Sequence, residues 1–164
     1  MIFYRSPASE AGAAGPSVIT LRTLTAVALA AYPPGALIRT FAPDTPGWQM
    51  FALIAGFGLI LLSLIAATPV MGSRLQRIVA DEGGRLDEME MQLRHKALSW
   101  SYGVLAGALL LFIVYLAIAS DSDLWRPSGY EEWNGLFWGA FLYVTLLPTA
   151  RLAWTMDAAD DGED

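Results

Sequence analysis

The chain has no cysteine, one histidine (His95) and one lysine (Lys96) in 164 residues. Without cysteine there is no disulfide scaffold, thiolate metal site, iron–sulfur ligation or thiol redox chemistry. A single histidine rules out a bis-histidine haem within one chain and makes a zinc site improbable. Acidic and basic residues are scarce too, at 16% of the chain against about 25% in soluble proteins. The ten basic residues are outnumbered by sixteen acids, for a formal charge of −6. That balance repels phosphate, so no nucleic-acid partner is expected.

The missing charge is missing in blocks. No Asp, Glu, Lys or Arg occurs in Thr23–Ile38, Thr45–Ser73, Ala97–Ser120 or Trp133–Ala150, windows of 16, 29, 24 and 18 residues. A soluble fold places charge every turn or two of each surface helix. A bilayer instead requires about 20 mostly apolar residues per helical crossing. The sequence therefore reads as all-α: a polytopic integral membrane protein with four transmembrane helices in a bundle. The spans are expected at about 18–41, 48–70, 97–120 and 133–154 within a membrane domain of residues 18–156. A tail of residues 1–17, a loop of residues 72–96 and an acidic tail of residues 157–164 complete the chain.

The first window is the ambiguous one. Pro33 and Pro34 remove backbone donors, so a kink or break is expected near Tyr32. Extending the segment to Val18 and Phe41 gives enough length if Arg22 and Arg39 snorkel. A competing reading is a signal peptide with Ala28-Leu29-Ala30 as its cleavage site. The long stretch before it, with Glu10, suits a retained span better.

Orientation follows the basic residues of short loops. The loop between the second and third windows carries Arg74, Arg77, Arg85, Arg94 and Lys96. Placing it in the cytoplasm puts both termini there, with Arg5, Arg22 and Arg151, and leaves Arg39 and Arg126 outside. Trp48, Trp125 and Trp133 then fall at the outer boundary, and Trp100 and Trp154 at the inner one. Nine of the ten basic residues are arginine, which suits a GC-rich bacterial genome and hence an inner (plasma) membrane.

Between membrane helices, close packing at small residues carries association. The GxxxG spacings Gly103/Gly107 and Gly135/Gly139 are candidate helix-packing sites, each expected to receive a different helix. Ala52/Gly56, Ala26/Ala30 and Ser63/Ala67 are candidate partners. One such face is also a candidate for a homo-oligomer.

The cytoplasmic loop divides at Gly83–Gly84. Before it, Arg74–Asp81 reads as a short helix with Leu75, Ile78 and Val79 on one side. After it, residues 85–96 read as a helix continuing into the third span, a cytoplasmic extension. Leu86, Met89 and Leu93 form an apolar stripe, and Glu90 to Arg94 is an acid-to-base pair at i, i+4. These five residues are the candidate docking surface for a cytoplasmic or membrane protein partner. The acids Asp81, Glu82, Asp87, Glu88 and Glu90 with His95 form a conceivable metal set, but a solvated helix explains each of them.

Leu86-Asp87-Glu88, then Leu93-Arg94-His95-Lys96-Ala97, then Ser101-Tyr102 entering a span resembles a family of small prokaryotic membrane proteins of unknown function. The likeness covers about Leu86 to Leu105 and departs from the pattern at Met89, where an arginine is expected. It implies about four membrane helices and no defined activity or cofactor. Some members resemble partners of small transcription regulators encoded beside them.

Three functions are weighed. A non-enzymatic regulatory or accessory subunit, acting through protein partners and without a cofactor, fits the charged extension. A small oligomeric transporter or channel for a neutral or lipophilic solute would run past Tyr32, Tyr115 and Tyr143, because the windows contain no acid or base for ion coupling. A membrane enzyme would be expected to cluster Arg, Glu and Asn at one face, whereas Asn134 is the single asparagine. Asp121, Asp123, Glu131 and Glu132 of the outer loop read as solvated acids more readily than as cation ligands.

Overall fold

A computed structural model of the chain describes residues 16–80, 86 and 88–156. The tails 1–15 and 157–164, and with them Asp81, Glu82, Gly83–Gly84, Arg85 and Asp87, lie outside the described residues. The described residues form helices and connecting turns, with no strand among them.

Helix α1 runs Val18–Phe41, with Ser17 as N-cap, its hydroxyl accepting from the Thr20 amide. Helix α2 runs Pro46–Met71 and opens on Pro46, whose missing donor is not needed in a first turn. It contains one π-helical stretch, Ala52–Gly56. After a tight turn at Gly72–Ser73, α3 occupies Arg74–Ala80. Helix α4 is Glu88–Ser120 and α5 is Tyr130–Thr155. Four of the five, all but α3, are long and apolar enough to cross a membrane.

The break expected in α1 does not occur. The helix passes through Pro33 and Pro34 without interruption. Pro33 has no N–H for the Leu29 carbonyl, and the Tyr143 hydroxyl of α5 supplies that bond instead, at 2.8 Å. A side chain distant in sequence thus replaces the backbone donor the helix lacks.

The long helices lie in the order α2, α1, α5, α4. Helix α1 packs mainly on α2 and α5, and α5 also packs on α4, while α4 meets α5 and α3 but not α1 or α2. Among the described residues no contact joins α2 to α4. The buried centre is built from Leu21, Ala28 and Tyr32 of α1, Ala66, Ala67 and Val70 of α2, and Leu142, Leu146, Leu152 and Ala153 of α5. Leu75 and Ile78 of α3 join it, because this short helix covers the end where α2 finishes and α4 begins.

Candidate functional site

The α1–α2 crossing is a backbone contact. A Cβ placed on Gly35 would stand 2.8 Å from the Gly56 carbonyl oxygen, and one on Gly56 would stand 3.0 Å from the Gly35 oxygen. Only residues without side chains allow this approach. One turn beyond Gly35, the Arg39 stem also lies over Gly56. Further along the same interface, Ser63 Oγ donates to the Ala28 carbonyl at 2.5 Å.

The α1–α5 crossing is held by tyrosines. Tyr32 lays its ring on Gly139, where a Cβ would come within 2.8 Å of Cε1, and donates its hydroxyl to the Gly135 carbonyl at 2.7 Å. Tyr143 returns the bond to Leu29 in the opposite direction. Tyr115 at the far end of α4 donates to the Trp125 carbonyl of the following loop. All three tyrosines considered for a solute path are thus bonded to backbone carbonyls.

The end that carries Ser17 and Met156 is closed by arginines. Arg22 of α1 donates through Nε to the Ala153 carbonyl at 2.6 Å and through Nη2 to the Met156 carbonyl. These are carbonyls that the end of a helix leaves without donors. The same guanidinium lies 5.7 Å from the Trp154 ring centroid. Arg94 of α4 does likewise for α3, donating to the Val79 carbonyl at 3.0 Å. Arg74 pairs with Glu90 at 3.3 Å. Thr149 of α5 donates to the Gln76 side chain of α3. Arg151 lies over the Trp100 ring at 5.2 Å. The start of α1, the end of α5, helix α3 and the start of α4 therefore share one end of the described structure.

At the opposite end, Phe41 packs on Trp125 with ring centroids 5.4 Å apart. Glu132 accepts from the Ser128 and Gly129 amides, capping α5. Asp121, Asp123 and Glu131 are exposed. Among the described residues no three acids or histidines converge.

The small-residue spacings have separate fates. Gly139 receives Tyr32, and Ala52 and Gly56 are buried, with Gly56 against Gly35. Gly135 contributes its carbonyl, but nothing lies within 4 Å of a Cβ built there. A Cβ built at Gly103 or Gly107 likewise meets nothing within 4 Å among the described residues. Ser63 and Ala67 are buried, while Ala26 and Ala30 are exposed.

Of the five docking residues, four are used internally. Leu86 and Leu93 pack against the core cluster, Glu90 holds Arg74, and Arg94 caps α3. Met89 is 70% exposed. The uncovered side of the α4 extension carries Glu88, Met91, Gln92 and His95 instead, with Met91 56% exposed. Sequence reasoning gives Arg22 only as a snorkelling, cytoplasmic cation and singles out neither Gly35 nor Met91. Gly35 was visible as a glycine within an apolar window, but its partner was not.

No family model, curated protein or solved structure matches the chain. The fold defines its class no more finely than an all-helical chain with four helices long and apolar enough to span a bilayer. Everything more particular rests on the residues just described.

Proposed function

We propose that this is a non-enzymatic integral protein of a bacterial inner membrane, crossing it four times and acting as a regulatory or accessory subunit through a protein partner. The Ser17/Met156 end faces the cytoplasm. That orientation is supported by Arg22, Arg74, Arg77, Arg94, Lys96 and Arg151, which gather there, against Arg39 and Arg126 at the other end. An even number of crossings is supported by the Arg22–Ala153 bond, which joins the first helix to the last at one end.

The observation that carries the partner reading is the bare surface of α4. Its most apolar stretch is only 6% buried within the chain, against 28–39% for the other three long helices. Where α4 projects beyond its apolar window, Met89 and Met91 remain exposed to what is then water rather than lipid. Exposed apolar side chains among charged ones suit protein contact, and methionine adapts to a partner's shape. The solute-path reading has no comparable support, since it needs hydroxyls that are already bonded to backbone carbonyls.

A photo-crosslinking residue at position 91 in the full chain, expressed in a bacterial membrane, tests the reading. A discrete adduct is expected there and not from a crosslinker at Ile65, an exposed residue of α2. An adduct of twice the chain mass would identify the partner as a second copy. No adduct from either position 89 or position 91 would overturn the docking surface.

A further inference from the structure

We propose that the α4–α5 seam binds one anionic phospholipid at its cytoplasmic end, with Lys96 and Arg151 taking the phosphate beside the Trp100 indole. The inference depends on the membrane reading above, and on it alone.

Arg151 is held in place yet keeps its donors. Its guanidinium carbon lies over the Trp100 ring, 5.2 Å from the centroid, a contact that consumes no N–H donor. The other arginines with partners at this end are bonded differently: Arg22 and Arg94 to helix-end carbonyls, and Arg74 to Glu90. Arg74–Glu90 is the one ion pair among the described residues, so no described carboxylate neutralises Arg151 or Lys96. A planar fork with free donors fits phosphate in two-pronged fashion.

Depth and spacing complete the site. Lys96 is the last charged residue before the apolar window of α4, and Arg151 the first after that of α5. Both therefore stand at headgroup level, where tryptophan also prefers to lie. Lys96 is one helical turn from Trp100, and helix side chains lean toward the N-terminus, bringing the indole toward the lysine. Gly103 and Gly107, three and seven residues beyond Trp100, continue that face without side chains, and no described residue comes within 4 Å of a Cβ built at either. Leu147 and Val144 continue the Arg151 face of α5 at one and two turns. The result is a two-cation cradle above an apolar trough. A free phosphate would leave the trough empty, whereas a phospholipid fills both parts.

The test is native mass spectrometry of the full chain in mild detergent, titrated with phosphatidylglycerol or phosphatidylcholine. The wild type is expected to retain one phosphatidylglycerol in preference to phosphatidylcholine. Arg151→Gln and Lys96→Gln should each weaken that retention about fivefold, leaving phosphatidylcholine unchanged. Arg126→Gln, at the opposite end, should change nothing. Lys96 is exposed, so its variant reports binding even if Arg151→Gln disturbs folding. Equal lipid retention by the wild type and both cradle variants overturns the site, as does displacement of the lipid by inorganic phosphate at matching concentration. A chain that stays in aqueous buffer without detergent overturns the membrane reading and the site together. One that needs detergent yet shows no headgroup preference overturns the site alone.

Discussion

The Tyr143 hydroxyl donates to the Leu29 carbonyl across 2.8 Å, and Leu29 is the residue four before Pro33. One side chain of α5 thus supplies the hydrogen bond that proline removes from α1 and ties the two helices together. In an apolar surrounding an unpaired carbonyl is costly, so this bond accounts for the helix continuing through Pro33.

Tyr143→Phe should therefore destabilise the chain by about 1 kcal/mol, the usual worth of such a bond. Pro33→Ala restores a backbone donor to Leu29. In that background the same Tyr143→Phe change should have less than half its effect. A double-mutant cycle by unfolding in detergent measures the coupling, and additive effects would show that Tyr143 serves only to pack.

The four charge-free windows translated directly into four long helices, because freedom from charge over 16 or more residues reads out the helix surface without reference to partners. The features that were not legible all depend on residues remote in sequence. Proline at position 33 predicts an interruption unless position 143 is known to answer it. Arg22 looked like a snorkelling cation, yet the carbonyls it meets belong to Ala153 and Met156. The stripe Leu86, Met89, Leu93 was visible as apolar, but periodicity does not say that α3 lies on it. A GxxxG spacing states that a helix can be approached closely, and not by what.

Arg22→Gln should loosen the last turn of α5, since the shorter neutral amide does not reach both carbonyls. The expected loss is about 1 kcal/mol, with faster amide exchange confined to residues 152–156. Arg22→Lys should fall between, because an ammonium supplies charge at the helix end without the fork. Uniform exchange along α5 in the glutamine variant would argue against a cap.

Two buried serines should respond with opposite sign. Ser63 Oγ is bonded to Ala28, whereas Ser101 Oγ is buried with no hydrogen-bond partner. Ser63→Ala should cost roughly 0.5–1 kcal/mol. Ser101→Ala removes an unsatisfied hydroxyl and should be neutral or stabilising by a similar amount. Thermal unfolding of both variants in one detergent decides it, and a loss at Ser101 would show that its hydroxyl bonds within the fold, for example to a carbonyl of the preceding turn.

Glycine substitutions separate contacts within the chain from contacts between chains. Gly35→Ala forces a methyl group toward the Gly56 carbonyl, where a Cβ would stand at 2.8 Å, and neither backbone can move without shifting a helix. The expected cost is about 1–3 kcal/mol, the range for overpacking a tight interface. Gly103→Ala and Gly107→Ala place a methyl group in space that no described residue occupies within 4 Å. In the isolated monomer alanine should even add helix propensity, worth up to about 1 kcal/mol. A second copy or a bound lipid lying on that face reverses the sign. Unfolding of the monomer in detergent, set beside the oligomeric state in bilayer discs, therefore tells whether the α4 glycines serve the fold or an occupant outside it. A large loss in the monomer itself would mean that α4 packs against its own chain more closely than its bare face indicates.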